Sequence, residues 1–559
     1  MLDTALSADT LRTEGSPVFR DTRLAVLAQS HGAAAAWPAL LAGGPAAIAE
    51  VDGDFAVAMQ QPCGRTVLAV DRFAVRTLCY RLTPSGMRFA SRADELADPS
   101  VPLAPQALFD YLYGHTIAAP QTIFQGVMRL PAGHCAVYDN GRLSVAPYWT
   151  PMFEEPQRPD FAALRDEFRA LVRSAVAREL DGGKPACFLS GGTDSSTVAG
   201  MIGLAAGRPA ATYSIGFEAE GYDEMAYARI AARRFGTEHH EHYITPADLV
   251  ANIPLVAASY DQPFGNSSVL PSYLCARFAR ADGVTKVLAG DGGDELFGGN
   301  SRYAKQRVFG WYEQVPQVLR RHVIEPLFGL PGVRRAPVLR KGASYIEQAR
   351  VPMPDRLQTY NQLRRLGMAE VLEPSFLAQV DTEGRARQQR DVWQQAQTAH
   401  EINRTLAFDW RYTLAENDLP KVVGATQLAG IEVGFPFLDR ALLDFSMRLP
   451  ARYKLNRLQL RWFFKEALRG FLPDEILVKK KHGFGLPFGV WAVRDAPLKA
   501  LATDSLSSFA GRGIVRPAFI DTLLRTRLPE HPGYYGEMVW ILMMLEQWLR
   551  HHSSGYRAF

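Results

Sequence analysis

Hydrophobic and polar positions follow two different patterns along the 559-residue chain. In the first 150 residues, short β-rich runs alternate with turn residues. DFAVAMQQPCGRTVLAVDR, for example, contains two such runs that are separated at Pro62-Cys63-Gly64. The dipeptide Asn140-Gly141 is typical of a tight turn between antiparallel strands. We therefore predict an antiparallel, β-rich domain over residues 1–150.

A proline-rich linker is predicted at residues 151–160, because TPMFEEPQRPD contains three prolines. Beyond it, strand-like runs (ACFL, AATYSIGF, EHHEHYIT, TKVL) alternate with runs that have apolar residues at helical spacing. This alternation is typical of a parallel sheet covered by helices on both faces. From about residue 300 the pattern becomes largely helical. The predicted fold class is therefore α/β, with a second domain at residues 161–555 that contains the parallel sheet and ends in helices.

Composition excludes several classes of function. The chain has 62 basic and 58 acidic residues, a net charge of +4, which is too balanced to indicate nucleic acid or an anionic membrane as a partner. Its apolar runs are shorter than a membrane span needs, and its first residues lack the pattern of a signal peptide. Five scattered cysteines without a CxxC pair predict neither zinc nor a disulfide framework. We expect a cytoplasmic protein.

The stretch FLSGGTDSST, residues 188–197, places a polar loop between a strand and a helix. Gly191 and Gly192 would let a phosphate approach the backbone, where N–H groups and the helix N-terminus bind anions. Ser195 and Ser196 could cap the helix or donate hydroxyl groups to the phosphate. Asp194 would repel phosphate unless Mg²⁺ lies between them. The alternative interpretation is a polar turn, but the order of strand, loop and helix favours phosphate.

A second acidic loop, LAGDGGDELFGGN at residues 288–300, follows the strand TKVL. An Asp-Gly loop alone is more often a turn. Two carboxylate loops at the ends of neighbouring parallel strands, however, can share one or two Mg²⁺ ions. The second loop therefore strengthens the prediction of a magnesium and nucleotide site.

Together these motifs resemble the synthetase domain of the class B asparagine synthetases, in the ATP pyrophosphatase superfamily. The resemblance covers residues from about 160 to 550 and extends into the N-terminal part, where VDGDFAVAM and MRLPAGHCAVY look like the later half of a glutaminase domain. The matching segments of the synthetase part are LSGGTDSS, SIGF (214–217), GDGGDELFGG, IEVGFPFLD (431–439) and KKKHGFGLPF (479–488).

The resemblance implies a set of site residues and the cofactors ATP and Mg²⁺. Asp194 and Asp294 would bind the metal. Asp291, Glu432 and Lys481 would be catalytic, with Lys481 stabilising charge as an acyl-adenylate forms and reacts. Lys479 and Lys480 are interpreted as solvated surface residues. The nucleotide would contact the metal ligand Asp194 and Leu189, Ser190, Gly191, Gly192, Ser195, Ile215, Ala289 and Gly290.

Two departures from the family pattern change the expected substrates. Family members that hydrolyse glutamine begin Met-Cys, whereas this chain begins Met1-Leu2, and its glutamine-binding motifs are missing. We therefore expect a truncated, inactive glutaminase-like domain. Relatives usually have an arginine, able to hold a carboxylate, where this chain has Gly434. That difference argues against aspartate as the acceptor.

Three functions remain open on the sequence. The first is an asparagine synthetase-type ligase that joins a carboxylate to ammonia or another amine. The second is a tailoring enzyme of the same fold, such as a lasso-peptide cyclase or a β-lactam synthetase, which takes a small or peptide substrate and works with a partner protein in a biosynthetic cluster. The third is a non-catalytic nucleotide-binding scaffold, against which the intact Asp194, Asp294 and Lys481 argue.

Overall fold

The computed structural model describes residues 10–61, 64–329, 337–479 and 485–558. Its N-terminal part contains antiparallel strands, as predicted. The main sheet there has the order β1-β4-β5-β9-β10, and a second sheet has the order β7-β6-β8. The strands are β1 (Thr10–Gly15), β2 (Val18–Phe19), β3 (Val51–Asp52), β4 (Phe55–Gln60), β5 (Thr66–Val70), β6 (Cys79–Thr83), β7 (Gly86–Ala90), β8 (Val127–Arg129), β9 (His134–Asp139) and β10 (Arg142–Pro147). The helices are α1 (Thr22–His31), α2 (Ala33–Ala42) and α3 (Pro105–Gly114).

The predicted turn at Asn140-Gly141 is confirmed. Asn140 and Gly141 have φ values of 48° and 78°, and they join β9 to β10 as a two-residue hairpin. Positive φ at both positions is the geometry that matches the right-handed twist of the flanking strands.

Residues 151–160, the stretch predicted as a linker, run without helix between β10 and the next helix. The sheet that follows is parallel, with the order β13-β12-β11-β14-β15. Its strands are β11 (Ala186–Phe188), β12 (Ala211–Phe217), β13 (Glu238–Ile244), β14 (Lys286–Leu288) and β15 (Glu432–Gly434), and a separate small hairpin contains β16 (Leu455–Asn456) and β17 (Gln459–Leu460). All seven residues of β12 are buried, as expected for a strand covered on both faces.

Helices surround the parallel sheet and make up most of the chain beyond residue 300. The α-helices of eight or more residues are α4 (Phe161–Glu179), α5 (Thr193–Ala206), α6 (Met225–Phe235), α7 (Pro246–Ser259), α8 (Val269–Ala281), α9 (Ser301–Glu313), α10 (Pro337–Ala349), α11 (Gly384–Gln395), α12 (Glu401–Asp409), α13 (Leu419–Ala429), α14 (Arg440–Arg448), α15 (Ala496–Ala510) and α16 (Pro532–His552). Shorter helical segments that bear on the site are Gly293–Phe297, Trp462–Ala467, Asp474–Val478 and the π-helix Trp410–Asp418.

The two parts of the chain share a hydrophobic core. Helix α3, from the N-terminal part, packs in the same buried cluster as the C-terminal helix α16. The Tyr111 hydroxyl donates a hydrogen bond to the carbonyl of Ile541 at 2.9 Å. The β-rich part is therefore packed firmly onto the sheet that positions the site.

Candidate nucleotide site

The site lies where the strand order reverses. Strand β11 leads through α5 to β12 on one side, whereas its other neighbour is β14, paired through Cys187 and Leu288. Ligands of open α/β sheets bind at such a switch point, beyond the carboxyl ends of the strands. The loops that follow β11 and β14 are the two acidic loops identified in the sequence.

The first loop requires a glycine at position 191. Gly191 has φ of +69°, and a Cβ there would lie 2.4 Å from the backbone nitrogen of Ala228. Only glycine combines this conformation with this close approach. The loop then enters α5 at Thr193, so that the first N–H groups of the helix lack intrahelical partners and are available to an anion.

The serines of this loop stabilise its shape and do not cap the helix. Gly192 is the N-cap of α5, and no side chain caps it. The Ser195 hydroxyl accepts a hydrogen bond from the Ser190 backbone at 3.2 Å and lies 3.1 Å from the Ser190 hydroxyl. Ser196 is fully buried. The predicted capping role of Ser195 and Ser196 is therefore wrong.

The two acidic loops meet at a buried guanidinium group. Arg461 Nη1 lies 2.6 Å from Asp194 Oδ2 and 2.8 Å from Asp294 Oδ1, and Arg461 Nη2 also donates to Asp194. Although burial alone would lower it, the pKa of Arg461 is raised above its usual value by Asp194 and Asp294. The carboxylates predicted to bind Mg²⁺ are thus brought together around a positive charge.

Glycine also permits this meeting of the loops. A Cβ at Gly299 would lie 1.7 Å from Asp294 Oδ1 and 2.7 Å from Arg461 Cδ. The glycine-rich end of the second loop therefore makes room for the charged cluster. Gly299 is therefore needed for close packing, whereas composition alone would suggest a flexible segment.

Asp291 and Lys421 form a second charged pair in the site. Lys421 Nζ lies 3.2 Å from Asp291 Oδ1 and 3.6 Å from Asp418 Oδ1. Burial lowers the pKa of Lys421, but the two carboxylates more than offset this and raise it above its usual value. Lys421 therefore keeps its charge at neutral pH.

A cavity of about 940 Å³ joins these groups. Its walls include an apolar part near β11, β12 and α8, formed by Phe188, Leu189, Ile215 and Pro271. A polar part contains both acidic loops, Lys421 and Arg461. An apolar wall beside an anion-binding loop and clustered carboxylates matches what a purine nucleotide with a metal-bound polyphosphate needs.

Most of the predicted residues lie together at this cavity, which is lined by Leu189, Ser190, Gly192, Asp194, Ser195, Ile215, Ala289, Gly290, Asp291 and Asp294. Gly191 lies directly behind the lining, against α6. Glu432 does not join them, because it is the exposed first residue of β15, at the opposite end of the sheet from the loops. Lys481 and Lys480 lie outside the described residues.

The interpretation of Lys479 as a solvated residue is wrong. Its side chain is only 7% exposed, and its Nζ lies 2.9 Å from Glu224 Oε1. The same ammonium is 3.4 Å from the carbonyl oxygen of Gly191 and 4.5 Å from the ring centroid of Tyr227. Lys479 therefore supports the first loop from behind, a position that the sequence run KKK did not indicate.

Sequence reasoning also missed Arg461 and Lys421. Arg461 lies in LQLRWFF, between strand β17 and a short helix, and Lys421 lies in DLPKVVG, at the start of α13. A basic residue that interrupts an apolar run is a signal for a buried charge pair, since unpaired charges are rarely buried. Asp291, Asp194 and Asp294 are more than a hundred residues away from these basic residues in the sequence, so those pairings could not be identified from it.

Position 434 faces away from the cavity. A Cβ at Gly434 would lie 2.4 Å from Glu179 Oε2 and 2.9 Å from Leu288 Cδ2. Glu179, at the end of α4, is held by Lys286 at 2.9 Å. Gly434 is therefore a close-packing position in this chain.

The donor set fits the metal and nucleotide that the motifs imply. The oxygens of Asp194 and Asp294 already lie around the positively charged guanidinium of Arg461, and carboxylate oxygens are the ligands that Mg²⁺ prefers. The backbone of the first loop and the start of α5 offer N–H groups for the polyphosphate. Asp194 and Asp294 would hold the metal, which would neutralise the phosphate charge.

Sheet order, loop chemistry and cavity together define an α/β protein with a candidate nucleotide site at the switch point of a parallel sheet. Comparison with known proteins gives the particular family. The family model "Asparagine synthase" matches residues 167–550, and the model "Glutamine amidotransferase domain" matches residues 37–149. The chain belongs to the asparagine synthase family.

Individual relatives agree with this assignment. The chain is 25% identical over 432 residues to asparagine synthetase [glutamine-hydrolyzing] 1 of Bacillus subtilis, covering 76% of this chain and 66% of that protein. It is 27% identical over 475 residues to a putative asparagine synthetase of Mycobacterium bovis, covering 81% and 70%. It is also 23% identical over 497 residues to the amidase chry2 of Gibberella zeae, covering 79% and 71%.

Within the described residues, no helix has the length and apolar character to cross a membrane.

Proposed function

We propose that the chain is an ATP-dependent ligase that activates a substrate carboxylate as an acyl-adenylate and then joins it to ammonia or another amine. The observation that supports the proposal most directly is the meeting of the two acidic loops. The loops after β11 and β14 bring Asp194 and Asp294 together around the guanidinium of Arg461, beside an anion-binding helix start and an apolar pocket. The family relationship supports the same chemistry.

In the first step, a carboxylate oxygen of the substrate attacks the α-phosphorus of ATP, and the bond to the β-phosphate breaks. The loop of residues 190–195 binds the departing pyrophosphate through backbone N–H groups. Mg²⁺ held by Asp194 and Asp294 would neutralise the charge that develops on that group. Lys479 maintains the position of the loop through the Gly191 carbonyl.

In the second step, the amine nitrogen attacks the acyl carbon, AMP leaves with the bonding electrons, and the nitrogen loses a proton. Asp291 lies on the wall of the cavity, paired with Lys421, where it can orient or deprotonate the attacking amine. By its match to the family's lysine, we assign to Lys481 the role of stabilising the charge that develops on the adenylate. Positioning and electrostatics thus account for both steps.

A tailoring enzyme that acts on a larger substrate is the second candidate. A further cavity of about 510 Å³ adjoins the first and shares Thr413 of the π-helix with it. This cavity has an aromatic and amide-rich wall, with Tyr113, Tyr360, Gln362 and Tyr534 among its residues. It would accommodate the remainder of a peptide or another larger carboxylate, whereas free aspartate needs no such space.

The test uses a substrate whose carboxylate is labelled with ¹⁸O. Phosphorus NMR of the products should show AMP and pyrophosphate, with one ¹⁸O in the AMP phosphate, because the adenylate transfers a carboxylate oxygen. Aspartate, other amino acids and carboxyl-bearing peptides are supplied in parallel with ammonia. Asp194→Asn should remove the reaction and the exposed control Asp504→Asn should not. Release of ADP and orthophosphate, or AMP without the label, would overturn the proposal.

A further inference from the structure

Arg461 occupies the point at which the magnesium ligands converge. Besides its contacts with Asp194 and Asp294, its Nη1 lies 2.8 Å from the hydroxyl of Thr193, in the first turn of α5. The arginine side chain is only 5% exposed. One guanidinium therefore joins the anion-binding helix start to both acidic loops.

The backbone holds this arginine in an unusual conformation. Arg461 has φ of +55°, in the left-handed region that is costly for a residue with a side chain. Its N–H donates to the carbonyl of Lys454 at 2.9 Å, immediately before the helix Trp462–Ala467. The chain thus directs a large cation into the cluster from a strained position, which is typical of a functional residue.

The guanidinium is also not fully satisfied where it lies. Its Nε is buried and has no hydrogen-bond partner among the described residues. Its Cζ lies 4.0 Å from the ring centroid of Phe464, so one face is covered by an aromatic ring. A phosphate oxygen in the cavity would give a guanidinium of this kind the additional acceptors that the protein lacks.

Arginine and Mg²⁺ compete for the same oxygens. Both carboxylates are engaged by Arg461, and Asp194 is engaged through both of its oxygens. A divalent cation placed on those oxygens would be in contact with the guanidinium and would be repelled by it, most strongly in a site shielded from water. In this arrangement, Mg²⁺ that is not bound to a polyphosphate is therefore excluded from the two carboxylates.

We infer that Arg461 is an internal counter-ion that reserves the metal site for metal bound to a polyphosphate. Without nucleotide, its guanidinium neutralises Asp194 and Asp294 and holds the two loops together. When the polyphosphate enters with its metal, Mg²⁺ takes the carboxylates and the guanidinium transfers to phosphate oxygens. Metal and nucleotide then bind as one unit. This inference rests on the proposed nucleotide site, and it identifies Arg461 as a positioning residue.

The first test titrates the intact protein with Mn²⁺, whose electron paramagnetic resonance signal is lost on binding. We expect no specific Mn²⁺ binding by the wild type alone, and one tightly bound Mn²⁺ when inorganic pyrophosphate is present. Asp294→Asn should remove that pyrophosphate-dependent site. One tight site without pyrophosphate that is lost in Asp294→Asn would overturn the inference.

The second test removes the competing cation. Arg461→Gln should bind Mn²⁺ without pyrophosphate at least about tenfold more tightly than the wild type does, and should bind pyrophosphate more weakly. Arg525→Gln is the control, because Arg525 lies outside the lining of the cavity, is 80% exposed and pairs with Asp521. The control should behave as the wild type. Unchanged Mn²⁺ affinity in folded Arg461→Gln would contradict the inference, and if that variant does not fold, the wild-type titration decides alone.

These titrations are independent of the ligase assay. Failure of the labelled-AMP experiment with normal pyrophosphate-dependent Mn²⁺ binding would reject the reaction and leave the role of Arg461 intact. The reverse result, correct AMP labelling with free Mn²⁺ bound by the wild type at the carboxylates, would reject only the counter-ion role.

Discussion

Lys421 neutralises Asp291: their charged atoms lie 3.2 Å apart on the wall of the nucleotide cavity. The same ammonium also meets Asp418. Asp291 is therefore an anchored carboxylate, because this ion pair fixes the position of its side chain on the cavity wall.

Replacing this lysine should be costly to the fold. Lys421→Met would leave two largely buried carboxylates without their cation, and we expect the free energy of unfolding to fall by about 1–3 kcal/mol. Urea unfolding measures the change. Lys499→Met, an exposed position on α15, is the control and should shift it by less than about 0.5 kcal/mol. A Lys421→Met variant as stable as the control would show that the pair contributes nothing.

Lys479 and Lys481 should affect different steps. Lys479 contacts the Gly191 carbonyl from a buried position, so Lys479→Met should loosen the loop and weaken MgATP binding by at least about tenfold. Lys481→Ala should lower turnover by about 10²–10³ with MgATP affinity nearly unchanged, because we propose that Lys481 stabilises the charge that develops on the adenylate. Calorimetric titration with MgATP distinguishes the loss of binding expected for Lys479→Met from the nearly unchanged affinity expected for Lys481→Ala, with Lys184→Met as the control. Equal loss of binding in both variants would contradict the division.

Lys454 should make stability depend on pH. It is fully buried, its Nζ donates to Asn403 at 2.8 Å, and burial lowers its pKa to about 7, an effect that Glu155 offsets only in part. Between about pH 7 and the usual lysine pKa near 10.4, the unfolded chain binds a proton that the folded chain does not. The contribution of Lys454 to stability is therefore most favourable at high pH and decreases as the pH falls towards 7.

Unfolding by denaturant at about pH 7, 8 and 9 measures this dependence. In this window, the free energy of unfolding of the wild type should rise with pH relative to Lys454→Met, by up to about 1.4 kcal/mol per pH unit. The difference between the two proteins isolates the lysine from other titrating groups. Parallel pH profiles would show that Lys454 keeps an ordinary pKa in the folded protein.

Much of this fold follows from local patterns. The strands AATYSIGF and EHHEHYIT and the helix YDEMAYARIAARRFG are present close to their predicted positions, because alternating strand and helix runs leave a parallel sheet few other arrangements. The two acidic loops could be placed together for the same reason, since both follow strands of one sheet. That reasoning applies to Asp194 and Asp294, because each lies in one of the two loops.

The rest of the site depends on contacts between distant parts of the chain. Arg461 reaches Asp194 across 267 residues of sequence, and Lys479 reaches Gly191 across 288. Neither follows a strand of the parallel sheet. The motif IEVGFPFLD predicts that Glu432 is catalytic, but the structure has it at the other end of the sheet, because β15 runs parallel to β14 and Glu432 is its first residue.

Glutamine should not serve as the nitrogen donor of this chain. The four cysteines within the described residues, Cys79, Cys135, Cys187 and Cys275, are buried, and burial raises the pKa of each thiol. A protonated, inaccessible thiol is a poor nucleophile. Purified protein with MgATP should release no glutamate from glutamine, and Cys63→Ser should change nothing. Glutamate release that an alkylating reagent abolishes would show an active thiol.

Gly434 should be required for packing and not for selecting the acceptor. A Cβ at this position would meet Glu179 Oε2 at 2.4 Å, so even Gly434→Ala should lower the free energy of unfolding by about 1–3 kcal/mol. Gly434→Arg should cost at least as much. The matched control is Gly203→Ala on α5, where a Cβ meets nothing within 4 Å and alanine should be neutral or stabilising.

The cause can be assigned by a double-mutant cycle. Glu179→Ala removes the obstructing carboxylate, so Gly434→Ala should cost at least about 0.5 kcal/mol less in that background than in the wild type. Leu288 Cδ2, at 2.9 Å from the same Cβ, would account for the cost that remains. Acceptor preference should be unchanged in the folded Gly434→Ala variant, because Gly434 does not line the cavity. Additive costs in the cycle would show that Glu179 is not the obstruction, and a change of preferred acceptor without loss of stability would mean that position 434 acts on the substrate.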